Sequence, residues 1–140
     1  MMKNNVIFLN STEDVLARTA WGEARSEGAQ GMQAVMNVVM NRYKDNRTWW
    51  GRSIKDICLA KYQFSAWNSN DPNRPQMLAV TEADPNFRIA LRLARQAVSG
   101  ALPDITGGAD HYHTKQIEPN WITSGVRVAD LGNHLFYQVA

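Results

Sequence analysis

A helical run from about Ala29 to Arg42 constrains the fold of this chain more than any other segment. Apolar side chains recur there at the spacing of one helix face, with one more beside that face: Met32, Val35, Met36, Val39 and Met40, with Val38 next to them. A surface helix buries only one apolar stripe, and the apolar arc of this helix is wider than such a stripe. The sequence therefore predicts a largely buried helix, around which the rest of the chain must pack.

Further helices are predicted on both sides of this one. An N-cap cluster at residues 11–14 begins a helix that ends near Gly28, and Ser53 caps a short helix. The pair Asp84-Pro85 opens another helix, which Gly100 ends. We expect its apolar side chains to be buried: Ile89, Leu91, Leu93, Ala94 and Val98. Residues 60–83 hold two prolines and several Asn and Asp residues, so they predict loops with short helical turns.

The last third of the chain has a different composition. Segments 109–114, 126–128 and 134–137 are rich in β-branched and aromatic residues, which predicts short strands across a helical core. We expect a mainly α fold with a small β element (α+β). The length of 140 residues fits one domain, in which residues 1–10 form an N-terminal extension and residues 11–140 form the core.

Composition and charge fit a soluble globular protein and single out no partner. The chain is 44% hydrophobic and 20% charged, with a net charge of +2 and no Lys/Arg run of the kind that binds nucleic acid. Four consecutive apolar residues, Val6 to Leu9, are too few for a signal peptide or a membrane span. We expect synthesis in the cytoplasm, no stable membrane association and a monomer. Cys58 is the only cysteine, so no intrachain disulfide forms and we expect it in the core.

Glu23 is the candidate catalytic residue. It lies near the end of the first predicted helix, in the segment Trp21-Gly22-Glu23-Ala24-Arg25. An apolar wall around a carboxyl group favours its protonated form, which a general acid needs near neutral pH. Without the rest of the chain, a helix-end carboxylate paired with Arg25 is the simpler interpretation.

The histidines and Ser65 match no established catalytic motif. His111 and His113 alternate, so in a strand their imidazoles would share a face and could converge on zinc. No His-Glu-x-x-His pattern and no second cysteine accompany them, and we interpret them as hydrogen-bonded side chains. Ser65 lacks the Gly-x-Ser-x-Gly context of a nucleophile. We expect no metal and no cofactor.

Aromatic residues in predicted loops and extended segments indicate a ligand-stacking surface. Trp67, Tyr112 and Trp121 are of this kind, and exposed rings stack on sugars or on nucleic-acid bases. Polar residues in the same segments can hydrogen-bond hydroxyl and N-acetyl groups: Gln63, Ser65, His113, Asn120 and Asn133. The alternative is that these rings anchor loops onto the core.

Five blocks, in order along the chain, resemble the cell wall hydrolases of the spore-cortex-lytic type, which are lysozyme-like enzymes that cleave peptidoglycan glycan strands. The blocks are Trp21–Gly28 with the helix that follows, Gln63–Trp67, Gly107–His113, Trp121, and Gly132–Tyr137. Trp21 stands where Tyr is typical of the family, and Ser26 where Gly is common. The resemblance implies a lysozyme-like core. Without a signal peptide or a wall-binding module, it favours a phage or prophage endolysin, made in the cytoplasm and acting on the cell wall after release.

The resemblance also implies the roles of individual residues. Glu23 would protonate the glycosidic oxygen between N-acetylmuramic acid and N-acetylglucosamine. Substrate would be bound by residues of the other blocks: Gln63, Phe64, Ser65, Tyr112, His113, Trp121 and His134. We expect lytic transglycosylation, in which the 6-hydroxyl of the muramic acid attacks its own anomeric carbon and Glu23 serves as acid and base.

Other functions stay open at this point. A hydrolytic muramidase would need a second carboxylate, for which Glu27, Asp110 and Glu118 are candidates that the sequence does not separate. A non-catalytic module that binds glycan or single-stranded nucleic acid would use the same aromatic residues. A zinc-dependent amidase is a minor alternative.

Overall fold

The helices and strands of this protein are known from a computed structural model that describes residues 11–45, 49–119, 121–122 and 125–140. The N-terminal extension expected over residues 1–10 and Asn120 lie outside the described residues. The helical elements, in chain order, are α1 (Thr12–Ala24), a 3-10 turn (Arg25–Glu27), α2 (Gly28–Lys44), α3 (Ile54–Leu59), a second 3-10 turn (Ser65–Trp67), α4 (Arg74–Ala79) and α5 (Pro85–Val98).

Side-chain caps mark the starts of α1, α3 and α5, as the sequence predicts. The Ser11 hydroxyl accepts from the Asp14 N–H at 3.2 Å, and the Ser53 hydroxyl accepts from the Asp56 N–H at 3.0 Å. The carboxylate of Asp84 accepts from the Phe87 N–H at 3.0 Å, with Pro85 in the first turn of α5. Each bond satisfies a backbone donor that has no partner inside the helix.

The wide apolar arc of α2 is explained by two separate contact surfaces. Its Met32, Val35, Met36 and Val39 side chains are buried in the main cluster with α1 and α5. On another side, Ala34 and Val38 pack with Ala109 and Phe136 under the sheet. The helix is therefore central because it contacts helices on one side and the β element on the other.

The described strands form one antiparallel sheet in the order β1–β3–β2, with β1 (His111–Thr114), β2 (Val126–Leu131) and β3 (His134–Gln138). Tyr112 pairs with Phe136 across β1 and β3, and His113 pairs with Leu135. Because side chains alternate along a strand, Tyr112, His134 and Phe136 share the face that packs on α2. His111, His113 and Tyr137 share the opposite face. This mainly helical fold with a small sheet confirms the predicted α+β class.

The helices of the described segments are too short or too polar to cross a bilayer. Cys58, in α3, is fully buried as predicted, and burial raises the pKa of its thiol to about 12.

Candidate active site

Three separate elements meet at Glu23, which is half-buried in the last turn of α1. The Tyr112 hydroxyl, from β1, donates to Glu23 Oε1 at 2.6 Å. The Ala66 N–H, from the second 3-10 turn, donates to Glu23 Oε2 at 3.0 Å, and the Ser65 hydroxyl lies 3.4 Å from the same oxygen. Hydrogen bonds on both oxygens fix the plane of the carboxylate relative to the helices and the sheet.

Gly22 explains how the turn at Ala66 comes so close to α1. A Cβ atom at residue 22 would lie 2.8 Å from Ala66 Cβ and 3.0 Å from Met77 Sδ. The first of these distances is shorter than real Cβ contacts, so a larger residue would push the turn away from the helix. The glycine beside Glu23 is thus required for the Ala66 N–H to reach the carboxylate.

Arg25 is engaged away from Glu23, which removes the simple ion-pair interpretation of that carboxylate. Its guanidinium lies over the Trp21 ring at 4.1 Å and donates to Asn73 Oδ1 at 3.0 Å and Gln76 Oε1 at 3.2 Å. Trp21 itself is buried in the main core, and its indole N–H donates to Asp84 at 3.3 Å. Trp21 and Arg25, two residues before and two residues after Glu23, therefore hold α1 against α4 and the start of α5.

The phenol of Tyr112 is held as a neutral donor. Burial, and then the negative charge of Glu23 and the hydrogen bond to it, raise the pKa of Tyr112 well above its usual value. Its ring packs among Phe64, Phe136 and His134, with centroid distances of 6.5, 5.7 and 5.2 Å. Tyr112 keeps its proton throughout the physiological pH range and can orient Glu23.

Glu27 and His134 form a second pair behind Tyr112. His134 Nδ1 lies 2.6 Å from Glu27 Oε2, and the Asn133 N–H donates to Glu27 Oε1 at 2.7 Å. Gly132 has φ +57° in the turn before β3, and a Cβ there would overlap the Glu27 carboxylate. The turn between β2 and β3 therefore contacts Glu27 directly. The contact between Glu27 and His134 Nδ1 holds the His134 ring edge-on to Tyr112.

The three candidate second carboxylates differ in their surroundings. Both oxygens of Glu27 are occupied by the contacts just described. Asp110 is buried, and its carboxylate accepts from the Val139 and Ala140 N–H groups at 2.8 and 3.0 Å and lies 2.9 Å from His111 Nδ1. Glu118 is exposed. The Glu27 and Asp110 carboxylates are bound by backbone N–H and imidazole groups. The Glu23 carboxylate is bound by a backbone N–H and by hydroxyl groups, and it lines a cleft.

The other predicted binding residues do not all lie beside Glu23. Ser65 and Tyr112 contact it, and His134 packs on Tyr112. Phe64 is fully buried, whereas Gln63 is exposed and accepts from Arg42 Nη1 at 3.2 Å. Of these three consecutive residues, Ser65 therefore lies at the Glu23 carboxylate, Phe64 lies in the core and Gln63 lies at the surface.

His113 and Trp121 lie on the sheet face opposite Tyr112. Trp121 packs on His111, His113 and Tyr137, with centroid distances of 4.7, 5.7 and 5.2 Å. His113 has Nδ1 at 2.7 Å from the Thr114 carbonyl and Nε2 at 3.2 Å from the Tyr137 hydroxyl. Within the described ranges, no cluster of three His, Cys, Asp or Glu side chains is placed to hold a metal ion.

Clefts lie beside Glu23 and along the loop that contacts it. A cleft of about 240 Å³ is lined by Glu23, Ser26, Asn73 and their neighbours. Two larger ones, of about 550 and 640 Å³, flank the segment Ala60–Lys61. The exposed rings of Trp49 and Tyr62 line these larger clefts. Neither residue was predicted at the site, although Tyr62 directly precedes the block Gln63–Trp67.

Comparisons with known proteins identify the fold and the family of the chain. No curated protein sequence matches the chain significantly. Two solved structures share its fold. The catalytic domain of the germination-specific lytic transglycosylase SleB from Bacillus anthracis has a TM-score of 0.68 at 21% identity, covering 91% of this chain and 93% of that one. The catalytic domain of the Bacillus cereus SleB protein has a TM-score of 0.68 at 22% identity, covering 91% of each chain. The family model described as Cell Wall Hydrolase matches residues 26–137, beginning just after Glu23, and the chain therefore belongs to the cell wall hydrolase family.

Proposed function

We propose that this protein cleaves the β-1,4 bond between N-acetylmuramic acid and N-acetylglucosamine in peptidoglycan, with Glu23 as general acid and base. The observation that carries the proposal is the placement of Glu23. Its carboxylate is half-buried beside a cleft and is held by the Tyr112 hydroxyl and the Ala66 N–H. A carboxyl group fixed in this way can transfer a proton to a bound glycosidic oxygen with little reorganisation.

Lytic transglycosylation is the route that these residues favour. Protonated Glu23 gives its proton to the glycosidic oxygen as the bond to the anomeric carbon breaks. The muramic acid 6-hydroxyl then forms a bond to that carbon and returns a proton to Glu23, leaving a 1,6-anhydro end and consuming no water. The Ser65 and Tyr112 hydroxyls can each donate or accept, so they can contact Glu23 in both protonation states.

A hydrolytic mechanism has less support because it requires a second carboxylate. The Glu27 and Asp110 carboxylates already accept hydrogen bonds from backbone N–H groups, and both lie against imidazoles. Using either one as a nucleophile or base would break contacts that hold the sheet. Lytic transglycosylation leaves both carboxylates in these contacts, because the 6-hydroxyl of the muramic acid is the nucleophile.

Digestion of purified sacculi, followed by mass analysis of the muropeptides, tests the proposal. Anhydromuramic ends are expected, whereas reducing ends without anhydro products would favour the hydrolytic muramidase. Glu23→Gln should keep the fold and lose nearly all activity, and Glu82→Gln, at an exposed carboxylate outside the candidate site, is the matched control. Intact glycan after prolonged digestion, or full activity in Glu23→Gln, would refute the assignment.

We further propose that the protein acts as a monomeric phage or prophage endolysin, made in the cytoplasm and released onto the wall at lysis. The cell wall hydrolase family supports this proposal. Expression alone should leave cells intact, and coexpression with a membrane-permeabilising protein should lyse them. Lysis without that protein would contradict this route of release.

A further inference from the structure

An exposed aromatic residue projects from the loop that supports Glu23. Tyr62, which follows α3, is 74% exposed. Its φ of +66° makes it the single described non-glycine residue with a left-handed backbone. This conformation is unfavourable for a bulky side chain, so the surrounding loop must hold Tyr62 in it. The Gln63 N–H donates to the Ala60 carbonyl at 3.1 Å and closes the turn that presents the ring.

The Tyr62 ring borders the cleft of about 640 Å³. The side chains around this cleft combine aromatic rings with amide, hydroxyl and ammonium groups: Tyr62, Trp67, Asn68, Ser69, Asn70 and Lys61. Lys61 Nζ lies 5.4 Å from the Tyr62 ring centroid, so the cation and the aromatic face are presented together. A flat ring beside amides and a cation suits an N-acetylated sugar that also carries a carboxylate.

The Tyr62 cleft and the Glu23 carboxylate are both held by the turn Ser65–Trp67. Trp67 ends the same 3-10 turn whose Ala66 N–H binds Glu23. Its indole N–H donates to the Thr19 hydroxyl at 2.8 Å, one helical turn before Glu23 in α1. The orientation of Trp67 is therefore fixed by the helix that carries the catalytic carboxylate, and one glycan strand could contact both places.

We propose that the Tyr62 cleft is a second glycan-binding site, which holds a muramic acid residue of the strand that Glu23 cleaves; this inference rests on the proposed function. Tyr62 stacks on the pyranose ring, and the amides of Asn68 and Asn70 bind hydroxyl and N-acetyl groups. Lys61 pairs with the lactyl carboxylate of a muramic acid that carries no stem peptide, since an attached peptide converts that carboxylate to an amide. The site anchors the strand and takes no part in the chemistry.

Binding is best measured in the Glu23→Gln variant, so that cleavage does not alter the probe. Two soluble probes separate the contributions: a tetramer of N-acetylglucosamine, and an alternating tetramer of N-acetylglucosamine and N-acetylmuramic acid. Tyr62→Ala should weaken binding of both tetramers about tenfold. Lys61→Gln should weaken only the muramic tetramer and should reduce the salt dependence of its binding.

The matched control is Tyr43→Ala, at an exposed tyrosine near the end of α2 that lines none of the clefts described above. It should leave both affinities unchanged. Equal affinities in Tyr62→Ala and Tyr43→Ala would overturn the site, and equal weakening of both probes by Lys61→Gln would overturn recognition of the carboxylate. In the enzyme that retains Glu23, Tyr62→Ala should raise KM on glycan strands with kcat unchanged.

The inference and the proposed function can fail separately. Loss of binding in Tyr62→Ala together with no cleavage by the parent enzyme would leave a glycan-binding protein and refute the catalytic proposal. Cleavage to anhydro products with no effect of Tyr62 on binding or KM would keep the catalytic proposal and refute the second site.

Discussion

Removing the Tyr112 hydroxyl tests whether the contact to Glu23 contributes to catalysis. In Tyr112→Phe, the 2.6 Å hydrogen bond to Glu23 is lost, whereas the ring keeps its packing with Phe64, Phe136 and His134. Hydrogen bonds to charged groups contribute about 1.5–3 kcal/mol. Since about 1.4 kcal/mol corresponds to a tenfold change in rate, kcat/KM should fall by roughly 10- to 100-fold.

The stability of the fold should change much less than the activity. Glu23 is half-buried beside a cleft, so water can replace the lost donor, and we expect a loss of about 1 kcal/mol or less. Initial rates of glycan cleavage and urea unfolding curves measure the two effects on the same preparations.

Tyr137→Phe is a matched control for this experiment. Tyr137 lies on the opposite sheet face, where its hydroxyl contacts His113 Nε2 at 3.2 Å. The control loses a comparable hydroxyl and should keep full activity. Activity of Tyr112→Phe within twofold of the parent, or an equal loss in Tyr137→Phe, would refute the assignment of Tyr112 as the group that orients Glu23.

Two further variants test the support of the site and the loop before β1. Gly22→Ala improves local helix propensity by about 0.5–1 kcal/mol, but its Cβ would displace the turn at Ala66, so cleavage rates should fall about tenfold or more; full activity would contradict the close-approach argument. Partial burial acts to raise the pKa of Asp104, but hydrogen bonds from Thr106, Asn41 and Gly108 outweigh it and lower that pKa below 3.8. The stabilisation by Asp104 is therefore present above pH 3.8 and is lost as the pH falls through the lower pKa of the folded state. Urea unfolding should show Asp104→Asn destabilised at pH 7 and closer to the parent at pH 3, and an equal difference at both pH values would refute this interpretation.

Much of the helical framework was predictable because its signals are local. Ser11, Ser53 and Asp84 cap their helices in the structure as the sequence predicts. The wide apolar arc of α2 correctly predicted a buried central helix, although its two separate contact surfaces were not predicted. Within α5, the prediction that Val98 is buried was wrong: it is 38% exposed, and Ala97 beside it is buried. Burial near a helix end depends on where the neighbouring helix stops, which spacing alone does not encode.

The candidate site was only partly predictable. The segment around Glu23 indicated the carboxylate, but its donors come from residues 43 and 89 positions away. One of these donors is the backbone N–H of Ala66, which no side-chain pattern can reveal. His113 and Trp121 were grouped with Tyr112 as substrate-binding residues because all three lie in blocks that resemble the family. Strand alternation and the packing of Trp121 place them on the other face.

The sequence by itself determined the positions of the main helices, the caps at Ser11, Ser53 and Asp84, and the buried character of α2, and it made Glu23 the candidate catalytic residue. These properties depend on residue types within a few turns of chain, so periodicity and capping chemistry express them directly. The tertiary structure decided which donors hold Glu23, how Gly22 admits the Ala66 turn, and which aromatic rings face solvent. Those outcomes arise from contacts between distant segments, and they are fixed only when the helices and the sheet pack together.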